Sequence, residues 1–128
     1  MADAKRILLA EDDRFLRKAA EATLRGRGFT VIAAVDGEEA LRLARSEAPD
    51  LILLDLIMPK LQGFEVLKAL KQEPATAAIP VIVLSNLGQE RDLQRTIEAG
   101  ALAHFVKANL SLQDLVQRVE EALAPTGG

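Results

Sequence analysis

A doubly wound α/β domain with a five-stranded parallel sheet is the fold this 128-residue chain predicts. Three observations carry that expectation. Short apolar or β-branched runs alternate five times with segments of helical apolar periodicity. Two of the runs, Leu51–Leu54 and Val81–Leu84, are apolar throughout, as strands buried on both faces are. The segments joining successive runs are long enough to hold a helix, which makes neighbouring strands parallel with right-handed crossovers.

In chain order, Arg6–Ala10 reads as the first strand and ends on Glu11-Asp12-Asp13. Phe15, Leu16, Ala19, Ala20, Thr23 and Leu24 then recur at helical spacing, and Gly26 and Gly28 supply stop signals. Thr30–Ala34 is a short β-branched strand. Asp36, with Glu39 three residues on, reads as a capping box opening a second helix. That helix turns Ala40, Leu41 and Ala44 inward and ends before Pro49. The third strand starts at Leu51 within a run closed by Pro59. Gly63 and Phe64 open a third helix with Phe64, Leu67 and Leu70 on one face and Pro74 just past its end. Ile79–Leu84 is the fourth strand run, finishing at Ser85-Asn86. A fourth helix from about Gln89 buries Leu93 and Ile97 and stops at Gly100. Ala103–Val106 is the fifth strand, closing on Lys107. Ser111 and Asp114 cap a fifth helix whose apolar stripe is Leu112, Leu115, Val116, Val119 and Leu123.

The composition narrows the chemistry. With no cysteine and a single histidine, disulfides, thiolate sites and multi-histidine metal sites are excluded. A net charge of −3 argues against a nucleic-acid surface on this segment. No apolar run reaches the roughly 18 residues a membrane span needs, and the first residues do not resemble a signal peptide. The expected setting is the cytoplasm.

In open parallel sheets the site lies beyond the carboxyl ends of the strands. The residues there are Glu11 and Asp12 after strand one, Asp55 at the end of strand three, Ser85 after strand four and Lys107 after strand five. Asp55 stands at the end of a buried strand, where an unpaired carboxylate costs several kcal/mol. Three carboxylates brought together require a cation among them. An all-oxygen ligand set suits a hard divalent ion, and Mg²⁺ is the ion expected. Lys107 and Ser85 suit phosphoryl oxygens, and a carboxylate can itself accept a phosphoryl group.

Four segments, Ile7-Leu8-Leu9-Ala10-Glu11-Asp12-Asp13, Leu53-Leu54-Asp55-Leu56-Ile57-Met58-Pro59 with Gly63, Val83-Leu84-Ser85 and Phe105-Val106-Lys107, resemble the signature segments of response-regulator receiver domains. The resemblance runs from Arg6 to about Leu123. It implies a flavodoxin-like fold with strand order 2-1-3-4-5, over a domain of residues 1–124, with 125–128 as a disordered tail or the start of a linker. It implies Asp55 as phosphoacceptor. It further implies Asp12, Asp55 and the Ile57 carbonyl as Mg²⁺ ligands with Glu11 acting through water, Lys107 and Ser85 as partners of the phosphoryl group, and Ser85 and His104 as switch residues. The implied partners are a sensor histidine kinase or phosphotransfer protein and a downstream protein reached through helix four, strand five and helix five. In that role the domain is not an enzyme; it assists its own phosphorylation and dephosphorylation. A pseudo-receiver, binding partners without phosphorylation, is the alternative; its usual marker, loss of the acceptor or acidic pair, is absent. For Asp13 a plain turn and helix-capping role is the better expectation.

Three positions depart from the family pattern. Ala108 follows Lys107 where the family commonly has proline after a cis bond, so a trans peptide is expected. Asn86 replaces a small residue beside Ser85, which predicts slower phosphorylation by small donors than Asn86→Ala would show. His104 replaces an aromatic ring, which predicts that acid weakens the active state.

Overall fold

A computed structural model describes residues 4–86 and 90–124. The strands are β1 (Arg6–Ala10), β2 (Thr30–Ala34), β3 (Leu51–Asp55), β4 (Val81–Ser85) and β5 (Ala103–Val106). They alternate with α1 (Arg14–Gly26), α2 (Gly37–Glu47), α3 (Gly63–Gln72), α4 (Glu90–Glu98) and α5 (Leu112–Leu123). All strand pairs are parallel, in the order β2-β1-β3-β4-β5. The alternation and the strand order expected above are both observed.

The period-two geometry of a strand divides the core into two layers. In β1, Leu8 and Ala10 face a core built with Leu67 and Leu70 of α3 and with Ala40 and Ala44 of α2. Ile7 and Leu9 face the opposite core, with Leu24 of α1 and Leu115, Val116 and Val119 of α5. Leu51 to Leu54 have no solvent exposure, as expected of the strand with a neighbour on each side and helices on both faces.

The helix ends are set locally. Asp36 accepts from the Glu39 amide at 2.8 Å, while the Glu39 carboxylate reaches the amide of Val35 at 3.0 Å, one residue earlier than a standard capping box. Ser111 and Asp114 form the complete reciprocal box. Gly28 takes φ +94° just past the α1 cap, a conformation that favours glycine. Asp13 accepts from the Leu16 amide at 3.0 Å and is the N-cap of α1.

Helical spacing overstated burial at a few positions. Ile97 is 47% exposed and Leu93 only half-buried; among the described side chains of α4 the buried one is Thr96. Leu112 sits at the open first turn of α5, and Phe15 and Leu16 face solvent at the start of α1. These side chains lie where helices begin or lean away from the sheet. The start expected for α4 at Gln89, and the tail at 125–128, lie outside the described residues.

Candidate functional site

The carboxyl ends of β1, β3, β4 and β5 bring together the residues expected there. β3 delivers Asp55 at its last position, buried, in register with Leu84 of β4. One row further along, Ser85 lies beside Val106, so the fully buried hydroxyl residue and the lysine that follows Val106 come from adjacent strands. β1 continues one residue past its end, where the Glu11 amide donates to the Ala34 carbonyl at 3.0 Å. This extension buries Glu11 and leaves Asp12 exposed.

Lys107 ties the set together. Its Nζ lies 2.5 Å from Glu11 Oε1 and 2.8 Å from Asp55 Oδ2. Asp55 Oδ1 accepts from the Ile57 amide at 3.1 Å, and Glu11 Oε2 accepts from the Asp13 amide at 3.2 Å. Each buried carboxylate is therefore held by one backbone amide and by one shared ammonium. Such pairing is needed to keep charge at the end of a buried strand.

Burial pushes the Glu11 carboxyl up to about 7, and the neighbouring Asp55 carboxylate adds to the rise, against the opposing pull of Lys107. Burial by itself would lower the Lys107 ammonium, but its bonds to Asp55 and Glu11 outweigh that and raise it. The lysine stays a cation throughout the physiological range.

Oxygen atoms from Glu11, Asp12 and Asp55 all lie within 4.8 Å of one another. An all-carboxylate cluster of this spacing, with no nitrogen or sulfur donor, fits a hard divalent cation. Arg17 adds a feature the sequence did not flag: its guanidinium donates to the Glu11 carbonyl at 3.0 Å and the Asp12 carbonyl at 3.3 Å. One turn into α1, it fixes the backbone that presents both acids. A cation spaced one helical turn after an acidic pair is its only sequence signal.

The switch position is inward. His104 is buried, with Nδ1 2.8 Å from Thr96 Oγ1 on α4. No peptide bond among the described residues is cis, so Lys107–Ala108 is trans as expected, and Lys107–Asn109 forms a single 3₁₀ turn. Asn86 is exposed beside the site. Ile57 is placed at the site through its main chain, while its side chain is 57% exposed.

A parallel sheet that gathers three carboxylates and a lysine beyond its strand ends defines the class: a doubly wound α/β domain with an acidic cluster and a lysine at its strand ends. The family described as the response regulator receiver domain matches residues 7–120, and the chain belongs to it. It is 42% identical over 115 residues to a gliding motility regulatory protein of Myxococcus xanthus, covering 90% of this chain and 15% of that protein. It is 36% identical over 121 residues to the DNA-binding dual master transcriptional regulator RpaA of a Synechocystis strain, covering 94% of this chain and 50% of that protein. The chain thus spans half or less of these two relatives. The CheY of Borrelia burgdorferi, solved as a CheX–CheY–BeF₃–Mg²⁺ complex, superposes with a TM-score of 0.86 at 28% identity, covering 94% of this chain and 90% of that one.

Proposed function

We propose that Asp55 accepts a phosphoryl group from a phosphohistidine on a sensor kinase or phosphotransfer protein. The observation that carries this reading is the Lys107 ammonium, 2.8 Å from Asp55 Oδ2 and 2.5 Å from Glu11, beside three carboxylates with the spacing of a cation site. In the transfer, an Asp55 carboxylate oxygen forms a bond to phosphorus as the donor's P–N bond breaks. The bonding pair leaves with the donor imidazole, which takes up a proton. Lys107 gives up a carboxylate contact and pairs with a phosphoryl oxygen instead, and the Ser85 hydroxyl donates to another. The backbone amide of Ile57 holds the acceptor in orientation.

Asp12, Asp55 and the Ile57 carbonyl are the residues to hold Mg²⁺ directly, with Glu11 through water. A bound Mg²⁺ supplies positive charge to the phosphoryl oxygens. The donor set supports that assignment, as does the Mg²⁺ of the Borrelia CheX–CheY–BeF₃ complex. In this reading the domain is an acceptor that assists its own loading and unloading, not an enzyme turning over a separate substrate. Loading changes the face formed by α4, β5 and α5, where a downstream protein binds. No helix among the described residues is long and apolar enough to cross a membrane, and the acidic, cysteine-free chain suits the cytoplasm. The DNA-binding relative RpaA is about twice as long as this segment, whose own charge of −3 is poorly suited to DNA.

Incubation with acetyl phosphate and Mg²⁺, followed by intact mass, tests the proposal. A single phosphoryl adduct is expected, absent in Asp55→Ala. No adduct from small donors or from a kinase would instead leave a phosphorylation-independent interaction module.

A further inference from the structure

Gly37 opens α2 and is buried. Its φ lies outside the left-handed region, so backbone conformation alone does not call for glycine there. Alanine has the higher intrinsic helix propensity. Space explains the choice. A Cβ built on Gly37 would stand 1.8 Å from the Leu61 carbonyl oxygen and 2.6 Å from the Leu61 carbonyl carbon. Both are backbone atoms, which cannot rotate aside as a side chain would.

Leu61 belongs to the segment that follows the acceptor. Residues 56–62 leave the end of β3 and enter α3, and contacts along their length pin them. The Gly37 amide donates to the Pro59 carbonyl at 3.2 Å, and the Leu61 amide donates to the same oxygen at 2.8 Å. Lys60 between them is held at φ +69°, with its ammonium 3.5 Å from Asp36, the cap residue next to Gly37. At the far end the Gly63 amide donates to the Leu56 carbonyl at 2.8 Å, and a Cβ on Gly63 would meet the Asp55 carbonyl oxygen at 2.2 Å. Leu56 and Met58 are buried in the core between these anchors. The loop is thus clamped between two glycines, one at its own exit and one on a different helix.

We infer that Gly37 is a positioning residue for the acceptor site: by letting the α2 N-terminus close against Pro59 and Leu61, it sets where the Ile57 main chain stands. That main chain orients Asp55 through the hydrogen bond the Ile57 amide donates to Oδ1 at 3.1 Å, so that the other carboxylate oxygen faces Lys107. Its carbonyl is also the one assigned to Mg²⁺, and to that extent the inference rests on the proposed function. A methyl group at position 37 forces the Leu61 carbonyl back by more than an ångström. Sites of this kind lose affinity when their supporting contacts shift by that much.

The test is Mg²⁺ binding to the unphosphorylated full chain, followed by calorimetry and by the shift of the Ile57 amide signal. Gly37→Ala should raise the Mg²⁺ dissociation constant about tenfold and slow acetyl phosphate uptake at saturating Mg²⁺. Gly100→Ala, at φ +110° and against the Lys71 side chain, is the matched structural control. It should lower the melting temperature and leave Mg²⁺ affinity alone. Lys60→Gly, which keeps the left-handed residue without its charge, should leave affinity unchanged. Lys60→Val strains the same loop with Gly37 left in place, and Lys60→Gly controls for the lost contact with Asp36; the valine variant should weaken Mg²⁺ binding and carries the test if Gly37→Ala does not fold. Wild-type affinity in a folded Gly37→Ala, or in Lys60→Val where Gly37→Ala does not fold, overturns the inference while the proposed function stands. A wild-type chain that binds no Mg²⁺ and takes up no phosphoryl group overturns both.

Discussion

Asp55 has two unequal flanks. On one side, β3, the loop after it and α3 are anchored by a row of buried residues: Leu56, Met58, Gly63, Val66, Leu67 and Leu70. On the other side, α4 buries only Thr96 among its described side chains. Its further attachments are a half-buried Leu93 and the Arg95 guanidinium, stacked 4.4 Å from the ring centre of Phe64 on α3. The acceptor is therefore built into the rigid flank. The helix proposed to signal is tied to the fold, through its described side chains, by a few polar and ring contacts. Chemistry needs fixed geometry, whereas a switch needs an element whose alternative positions differ little in free energy.

The largest effect expected from this contrast comes from the same kind of truncation made on each flank. Leu67→Ala on α3 removes a fully buried side chain and should destabilise the domain by about 2–5 kcal/mol. Ile97→Ala on α4 removes an aliphatic group that is 47% exposed and should cost no more than about 0.5 kcal/mol. Chemical denaturation of the two variants gives the comparison directly. Similar losses would mean that α4 is held as firmly as α3, and the contrast would fail.

The rigid flank was the legible one. β3 starts at Leu51, as expected from its apolar run, because a parallel strand buried on both faces leaves a continuous hydrophobic signal. Asp55 stood out because nothing in such a run excuses a charge. Glu11, Asp12, Ser85 and Lys107 followed from the rule that sites gather at strand ends. The α4 flank misled for a physical reason. Leu93 and Ile97 have helical spacing, but spacing reports that a helix has an apolar face and not that the face is covered. The Thr96–His104 bond and the approach of Gly37 to Leu61 were also hidden. Each joins two different elements of the fold, and neither a threonine in a helix nor a glycine after an N-cap announces its partner.

A second, smaller effect concerns the Glu11 carboxyl that shares Lys107 with the acceptor. With the Glu11 carboxyl raised from 4.5 to about 7 in the folded chain, the folded state binds more protons than the unfolded state between those values. The contribution of Glu11 is then fully present below about pH 4.5 and lost as pH rises through about 7. Metal-free protein should accordingly gain about 1–2 kcal/mol of stability, from this group alone, between pH 8 and pH 5. Glu11→Gln should flatten that part of the profile. Added Mg²⁺ should act in the opposite sense, stabilising more as pH rises, because a divalent ion competes with protons for the same oxygens. Thermal melts across pH, with and without Mg²⁺, measure both slopes. A metal-free profile that climbs steadily toward pH 8 in wild type, and no less in Glu11→Gln, would remove the carboxyl from this account.

The smallest effect probes how α4 is held. The Thr96 hydroxyl donates to the Leu93 carbonyl at 2.9 Å, and His104 Nδ1 lies 2.8 Å away. A hydroxyl has one proton; once that is given to a carbonyl, the ring nitrogen must be the donor to Oγ1. Thr96→Val keeps the shape and removes the acceptor, leaving the buried Nδ1–H without this partner at a cost of about 1 kcal/mol. If α4 opens locally, that loss should appear in α4 alone, as about fivefold faster amide exchange, while α3 amides stay unchanged. Equal acceleration in both helices would show that they open together and that the two flanks form one cooperative unit. Acceleration confined to α4 would show that a single buried threonine sets how easily the switching helix leaves its place.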